Sequence, residues 1–290
     1  MSVVLRHIVV VVLLFPATVL SSEIKQVADL EALFAQQNYQ WPARGGLLPA
    51  VFLKALPGDF AKIREPKKRK RLFVQLMAPI ALLEKQRLEE QRSLALLLAK
   101  RQSLDSPRWS PWLNQIAARY KAEHLIGNGK LQEKLNLQLD ALPLKLILAQ
   151  AAMESGWGSS RFAHEGNSLF GQWSFNGQGI IPNGREGNKT HRVSAYPDLQ
   201  ASVRAYLHNI NTNRAYKKLR NMRAQMRQNH QPLDPFKLAE GLDRYSQRGQ
   251  AYVHELQAIM RLPEFEALTS VRLPLPRVES TSGYASSSDR

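Results

Sequence analysis

Residues 143–158, PLKLILAQAAMESGWG, constrain the fold more than any other stretch of this chain. Pro143 is suited to opening a helix, Leu144, Ile147, Leu148, Ala151 and Ala152 give that helix a broad apolar face, and Gly156 is a natural terminator. Such a face suits burial against other elements of the fold. Glu154 then falls in the last turn. The negative end of the helix dipole and burial among Ala, Met and Trp both oppose its ionisation there. A carboxyl that keeps its proton near neutrality is what a general acid requires. Position alone leaves a second reading open, an ion pair with a nearby arginine such as Arg161.

The chain has 290 residues, room for one good core and a smaller appended unit. Arg6 and His7 precede an apolar run, Ile8 to Leu20, that closes on Ser21 and Ser22. The run is short of the roughly 20 residues a spanning helix needs, so residues 1–22 read as a secretory signal peptide. With no Ala-x-Ala site, an uncleaved anchor is the alternative, and an exported chain without cysteine fits a bacterial periplasm or cell envelope at least as well as a eukaryotic secreted domain. Residues 23–104 form a basic helical N-terminal region. It holds KKRKR at 67–71, read as a solvated basic face, and a helical pattern from Arg71 to about Gln102 that Pro79 should kink or divide. SPWLNQIAARY then starts a new helix with Pro111 in its first turn. Residues 105–268 are the expected catalytic domain, and residues 269–290 a polar, Ser-rich tail too poor in apolar residues to stay ordered.

Lys and Arg number 40 against 24 Asp and Glu, a net charge of +16 that favours anionic surfaces. A nucleic-acid-binding module would fit that charge, but the export signal argues for an anionic envelope surface and against nucleic acid. Cysteine is absent, which excludes disulfides, thiolate chemistry and Cys-ligated zinc. His191, His208 and His254 show no metal-ligand spacing, and no phosphate loop or dinucleotide fingerprint is present, so neither metal nor cofactor is expected.

AQAAMESGWGSSRFA followed by NSLFGQW resembles the bacterial glucosaminidase family, and the basic helical region together with YSQRGQAYVHEL resembles its Bax-type subset. The likeness covers roughly residues 70–262. It implies an α+β, mainly α, lysozyme-like catalytic domain with a small β-hairpin lobe and an N-terminal helical segment. It also implies cleavage of N-acetylglucosaminyl bonds in peptidoglycan glycan strands, with Glu154 as the catalytic acid. Lytic transglycosylases share a Glu-Ser helix end, but they continue into Gly-Leu-Met-Gln where this chain has NSLFGQW. A basic envelope binder without catalysis is the rival from another class.

Glycoside hydrolysis usually needs a second group on the other face of the sugar. NGQGIIPNGREGNKTHRVSAY reads as a β-hairpin with Glu186 near its tip, and the resemblance makes Glu186 the candidate, with the substrate's own 2-acetamido group as the alternative. By the resemblance, Tyr245 stands at the place of the family's motif tyrosine, whose hydroxyl would position water or the acetamido group beside the anomeric carbon. Members often read Tyr-Ala-Thr-Asp-Pro-x-Tyr, whereas here the sequence is Tyr-Ser-Gln-Arg-Gly-Gln-Ala-Tyr. Tyr252, four residues before Leu256, reads as helix packing. Trp157, Phe170, Trp173 and Tyr196 are the candidate sugar-stacking aromatics, with Trp173 the first choice and Trp157 nearer to a support for Glu154. The helix from Leu199, capped by Asp198, reads as scaffold.

Overall fold

The computed structural model describes residues 24–43, 46–101, 110–127, 129–175, 177–184 and 190–274. The expected signal segment, the boundary near residue 104 and Glu186 lie outside them. The fold is α+β and mainly α, of the lysozyme-like class expected, with helices surrounding α5 (Leu144–Glu154) and one small antiparallel sheet. Leu146 to Ala152 are all buried in α5, so the helix is covered on every side rather than on one broad face. Helices α2 (Pro66–Arg101), α9 (Pro235–Ala239) and α10 (Gln250–Met260), with the 3-10 segment Pro263–Thr269, pack around it.

Helix α2 is neither divided nor ended by Pro79, which is buried within it. Proline removes the N–H that would reach the carbonyl of Gln75. That carbonyl instead accepts the Tyr39 hydroxyl at 2.8 Å, and the Gln75 amide donates back to the Tyr39 carbonyl at 2.6 Å. Tyr39 follows α1 (Val27–Gln36), so the segment after the first helix repairs the gap that Pro79 opens in the second. Burial drives the Tyr39 phenol far above its ordinary pKa, and it stays a neutral donor. Tyr39→Phe is expected to destabilise the fold by about 1–2 kcal/mol, measured by urea unfolding, because a buried carbonyl loses its partner.

The KKRKR cluster is less solvated than its charge implies. Lys68 pairs with Glu31 at 2.9 Å, Arg69 donates to the Ile63 carbonyl at 3.0 Å, and the Lys70 ammonium lies 5.1 Å from the centre of the Trp157 ring. The N-terminal region shares its core with the later helices: α2 packs on α4 (Leu131–Gln138), α5 and α7 (Leu199–Thr212). Buried Glu84 of α2 accepts two bonds from Arg204 of α7, at 2.9 and 3.1 Å. The opening of the expected tail is also held in the fold. Arg272 exchanges backbone bonds with Gly46 and Leu48 at 2.8 and 2.9 Å, and Leu273 is buried.

Helix α3 (Ser110–Arg119) has Pro111 in its first turn, and the Asp198 carboxylate caps α7 by accepting the Ala201 N–H at 2.6 Å, both as the sequence predicts. The sheet pairs β1 (Trp173–Ser174) with β2 (Arg192–Val193), and Ile180 bridges to Val193. This small lobe stands beside the C-terminal end of α5.

Candidate active site

Glu154 is the last residue of α5, and the turn after it is built by Ser155-Gly-Trp-Gly. The Ser155 hydroxyl donates to the Ala151 carbonyl at 2.6 Å and accepts the Gly158 N–H at 2.9 Å. Gly156, Trp157 and Gly158 all have positive φ, at 58°, 57° and 74°. Only glycine suits the last of these: a Cβ on Gly158 would lie 3.0–3.2 Å from Phe73, Leu56 and Phe60. Trp157 tolerates its left-handed backbone because the Trp157 N–H bonds the Ala152 carbonyl at 2.7 Å and its ring is wedged edge-on between Phe73 and Phe265. The reversal turns the chain sharply away and leaves the Glu154 carboxyl facing a cleft of about 590 Å3.

Glu154 is half-buried, and Arg161 is not its partner: Arg161 pairs with Glu165 at 2.8 Å and donates to the Ile181 carbonyl. The Glu154 carboxyl takes a hydrogen bond from the Tyr252 hydroxyl at 2.8 Å, on Oε1. Desolvation raises its proton affinity above the ordinary carboxylate value. The bond from Tyr252 works in the opposite direction, and the charge of Glu255 adds to the rise. Tyr252 therefore does more than pack. Its ring stacks on Tyr245 at 5.5 Å, and Tyr245 stacks in turn on Tyr216 at 5.6 Å, so three tyrosines line one wall. The Tyr245 hydroxyl donates to the Phe170 carbonyl at 2.9 Å, which fixes its ring beside Glu154.

The other candidates separate cleanly. Phe170 lines the cleft but is 2 % exposed and stacks on Tyr206 at 4.0 Å, which makes it floor rather than platform. Trp173 is 54 % exposed at the opening, braced edge-on by His191. Tyr196 stands behind the lining, donating to the Gln172 side chain at 2.7 Å. Trp157 does not line the cleft; its ring faces α2, as its contacts with Phe73 and Lys70 require. Several lining residues were missed, Tyr216, Phe175, Glu255 and Arg248 among them. Phe175 is 76 % exposed, and Glu255 and Arg248 form a 2.7 Å ion pair at the rim. For Glu255 a signal existed, since it follows Tyr252 by three residues and so shares its helix face. For Phe175 none did.

Against the curated proteins, the chain is 30 % identical to "Protein bax" of Escherichia coli (strain K12) over 202 residues, 69 % of this chain and 72 % of that one. Residues 130–263 match the glucosaminidase family, described as mannosyl-glycoprotein endo-beta-N-acetylglucosaminidase. The chain belongs to the glucosaminidase family. No solved structure matches it. The matched span of this glucosaminidase-family protein starts just before α4 and closes after α10, so it contains Glu154, the β lobe and all three tyrosines of the wall. Family membership supports a glycoside hydrolase type of activity on a glycan.

An exposed indole at a cleft opening offers an apolar platform to a sugar ring. Trp173→Ala is expected to raise KM for soluble glycan fragments about tenfold, through the loss of roughly 1–1.5 kcal/mol of stacking, with kcat and the melting temperature little changed. Steady-state kinetics with a thermal melt checks this.

Proposed function

We propose that this protein is an exported peptidoglycan hydrolase that cleaves β-1,4 bonds after N-acetylglucosamine, with Glu154 as general acid. The observation that carries this reading is a half-buried carboxyl that faces a cleft, takes a hydrogen bond from a tyrosine, has its proton affinity raised by burial and lacks a direct cation partner among the described residues. Glu154 gives its proton to the bridging oxygen of the bound glycan. The anomeric C–O bond breaks, its electron pair stays with the leaving sugar's oxygen, and positive charge develops on the anomeric carbon. Phe175 and Trp173 offer ring faces to flanking sugars. Water completes the reaction, helped either by Glu186 or, through an internal ring closure, by the substrate's 2-acetamido group. The wall tyrosine Tyr245, its hydroxyl fixed to Phe170, borders the place where that group would lie.

Export supports the choice of peptidoglycan as the polymer, and the net charge of +16 suits a protein held near anionic envelope surfaces. Among the described residues no helix is long and apolar enough to cross a membrane. Digestion of purified sacculi with wild type and Glu154→Gln, followed by mass spectrometry, tests the proposal. New reducing-end N-acetylglucosamine from the wild type alone is the expected result. A 1,6-anhydromuramic product would make the protein a lytic transglycosylase, and equal products from both proteins would end the assignment of Glu154.

A further inference from the structure

Gln150 lies one helical turn before Glu154 on α5 and is fully buried. A buried primary amide has to place a donor and an acceptor, and both are placed here on tyrosines of other helices. Tyr206 of α7, also fully buried, donates its hydroxyl to Gln150 Oε1, and Gln150 Nε2 donates to the Tyr252 hydroxyl at 2.9 Å. Tyr252 then donates to Glu154 Oε1 at 2.8 Å. The chain Tyr206, Gln150, Tyr252, Glu154 could in principle run in the opposite sense, with the amide turned over and every donor reversed.

The buried end of the chain chooses the direction. In the reversed sense Tyr206 would receive a bond from Gln150, and its own proton would need another acceptor. Among the described residues the Tyr206 hydroxyl has no hydrogen-bond partner other than Gln150, and an orphaned buried hydroxyl costs the full desolvation of its proton. Tyr206 must therefore donate, Gln150 must present its oxygen to Tyr206 and its N–H to Tyr252, and the only proton of Tyr252 is committed to Glu154 Oε1. An oxygen that accepts a bond from Tyr252 is not the one that carries the acid proton toward it. The proton must sit on Oε2, the oxygen beside Gly171, where even a Cβ would lie 3.9 Å away and the cleft is open.

We infer that Gln150 is a positioning residue which, with Tyr206 as its anchor, fixes the polarity of this chain and so places the proton of Glu154 on the oxygen that faces the glycan. The inference rests on the reading of Glu154 as general acid. In the reaction the Oε2–H bond breaks, its proton passes to the bridging oxygen, and the carboxylate left behind keeps the bond from Tyr252 on Oε1. The tyrosine thus donates to Oε1 before and after transfer, and nothing in the chain has to turn over during catalysis. The charged and titratable groups around Glu154 are Glu255 with its partner Arg248, and Tyr206, Tyr216, Tyr245 and Tyr252; of these the test changes only Tyr206, whose phenol burial keeps neutral.

The test compares pH profiles of kcat on soluble peptidoglycan fragments for wild type, Gln150→Leu, Tyr206→Phe and Glu154→Gln. In Gln150→Leu no N–H holds the Tyr252 oxygen in place, so its bond to Glu154 Oε1 weakens, the carboxylate is less stabilised and the acid holds its proton more tightly. The expected kcat is about tenfold lower with KM within about twofold, and the alkaline limb moves to higher pH. Tyr206→Phe keeps the ring on Phe170 and removes only the anchor, so it moves kcat and the limb the same way by a smaller factor. If Gln150→Leu does not fold, Tyr206→Phe decides alone. A purely structural role would lower the melting temperature and leave the limb where it was. An unmoved limb in a folded variant, with Glu154→Gln inactive, overturns the inference and spares the general acid. Activity persisting in Glu154→Gln overturns both.

Discussion

Glu154→Gln should lose about 10³-fold in glycan cleavage while keeping the fold and the substrate affinity, because a primary amide fills the same space and accepts from Tyr252 but has no proton to give. Stability supplies an independent sign. Burial and Glu255 raise the carboxyl's pKa in the folded protein above its value in the unfolded chain. The unfolded state therefore ionises first, and wild type gives up stability as pH rises past the unfolded value, reaching the full penalty above the folded pKa. Below the unfolded pKa both states are protonated and the penalty is absent. Glu154→Gln carries no such penalty, so its melting temperature should exceed that of wild type at neutral and alkaline pH, with the difference vanishing in acid. Activity has its own pH consequence. The acid works only while protonated, so kcat falls as pH rises through the folded pKa, above the ordinary carboxylate range. A pH series of melts and rates on the two proteins reads all of this. A variant that is dead because it is misfolded would melt lower at every pH.

What the sequence made legible was the part written in local pattern. Pro143 and Gly156 bound α5, Asp198 caps α7, and the place of Glu154 in the last turn of α5 follows from spacing, while its reading as an acid rests on the family motif. What it hid was tertiary. Tyr252 has the helical spacing of a core residue and is one, at 3 % exposure, yet its hydroxyl reaches Glu154 across 98 positions of chain. Gln150 reads as a polar interruption in an apolar run until α7 and α10 close over it with a tyrosine each. Pro79 should break a helix by itself, and the missing bond is made good by a residue 40 positions upstream that no periodicity points to. Trp157, flanked by glycines next to the acid, suggested the site, and the left-handed turn sends its ring the other way.

Asp140 is the side chain whose loss should harm the fold most. It is fully buried where α4 gives way to α5, and three arginines converge on it. Arg227 of α8 (Lys217–Gln228) donates to both its oxygens at 3.1 and 3.0 Å, Arg223 of α8 lies at 3.6 Å and Arg92 of α2 at 3.8 Å. Arg223 is 1 % exposed, and burial pulls its guanidinium down to about 10 despite the nearby carboxylate. It is held charged by Asp140 together with the Leu137 and Asp140 carbonyls and the Asn211 side chain. Asp140→Leu would leave that buried cation facing only dipoles and the like charges of Arg92 and Arg227, of which Arg227 keeps Glu89 at 4.0 Å. The expected loss is about 3–5 kcal/mol, a fall in melting temperature of roughly 10 °C. The cluster joins α2, the helix that backs the acid, to α8, which begins directly after the wall tyrosine Tyr216, so activity should fall before the protein unfolds outright. The decisive comparison is the double variant. Arg223→Met removes the most buried of the unpaired charges and fills its volume, so Asp140→Leu with Arg223→Met should be more stable than Asp140→Leu alone. If the double variant is instead as unstable as the sum of the two single losses, the cluster holds by shape, and electrostatics is not what binds α2, α4 and α8 together.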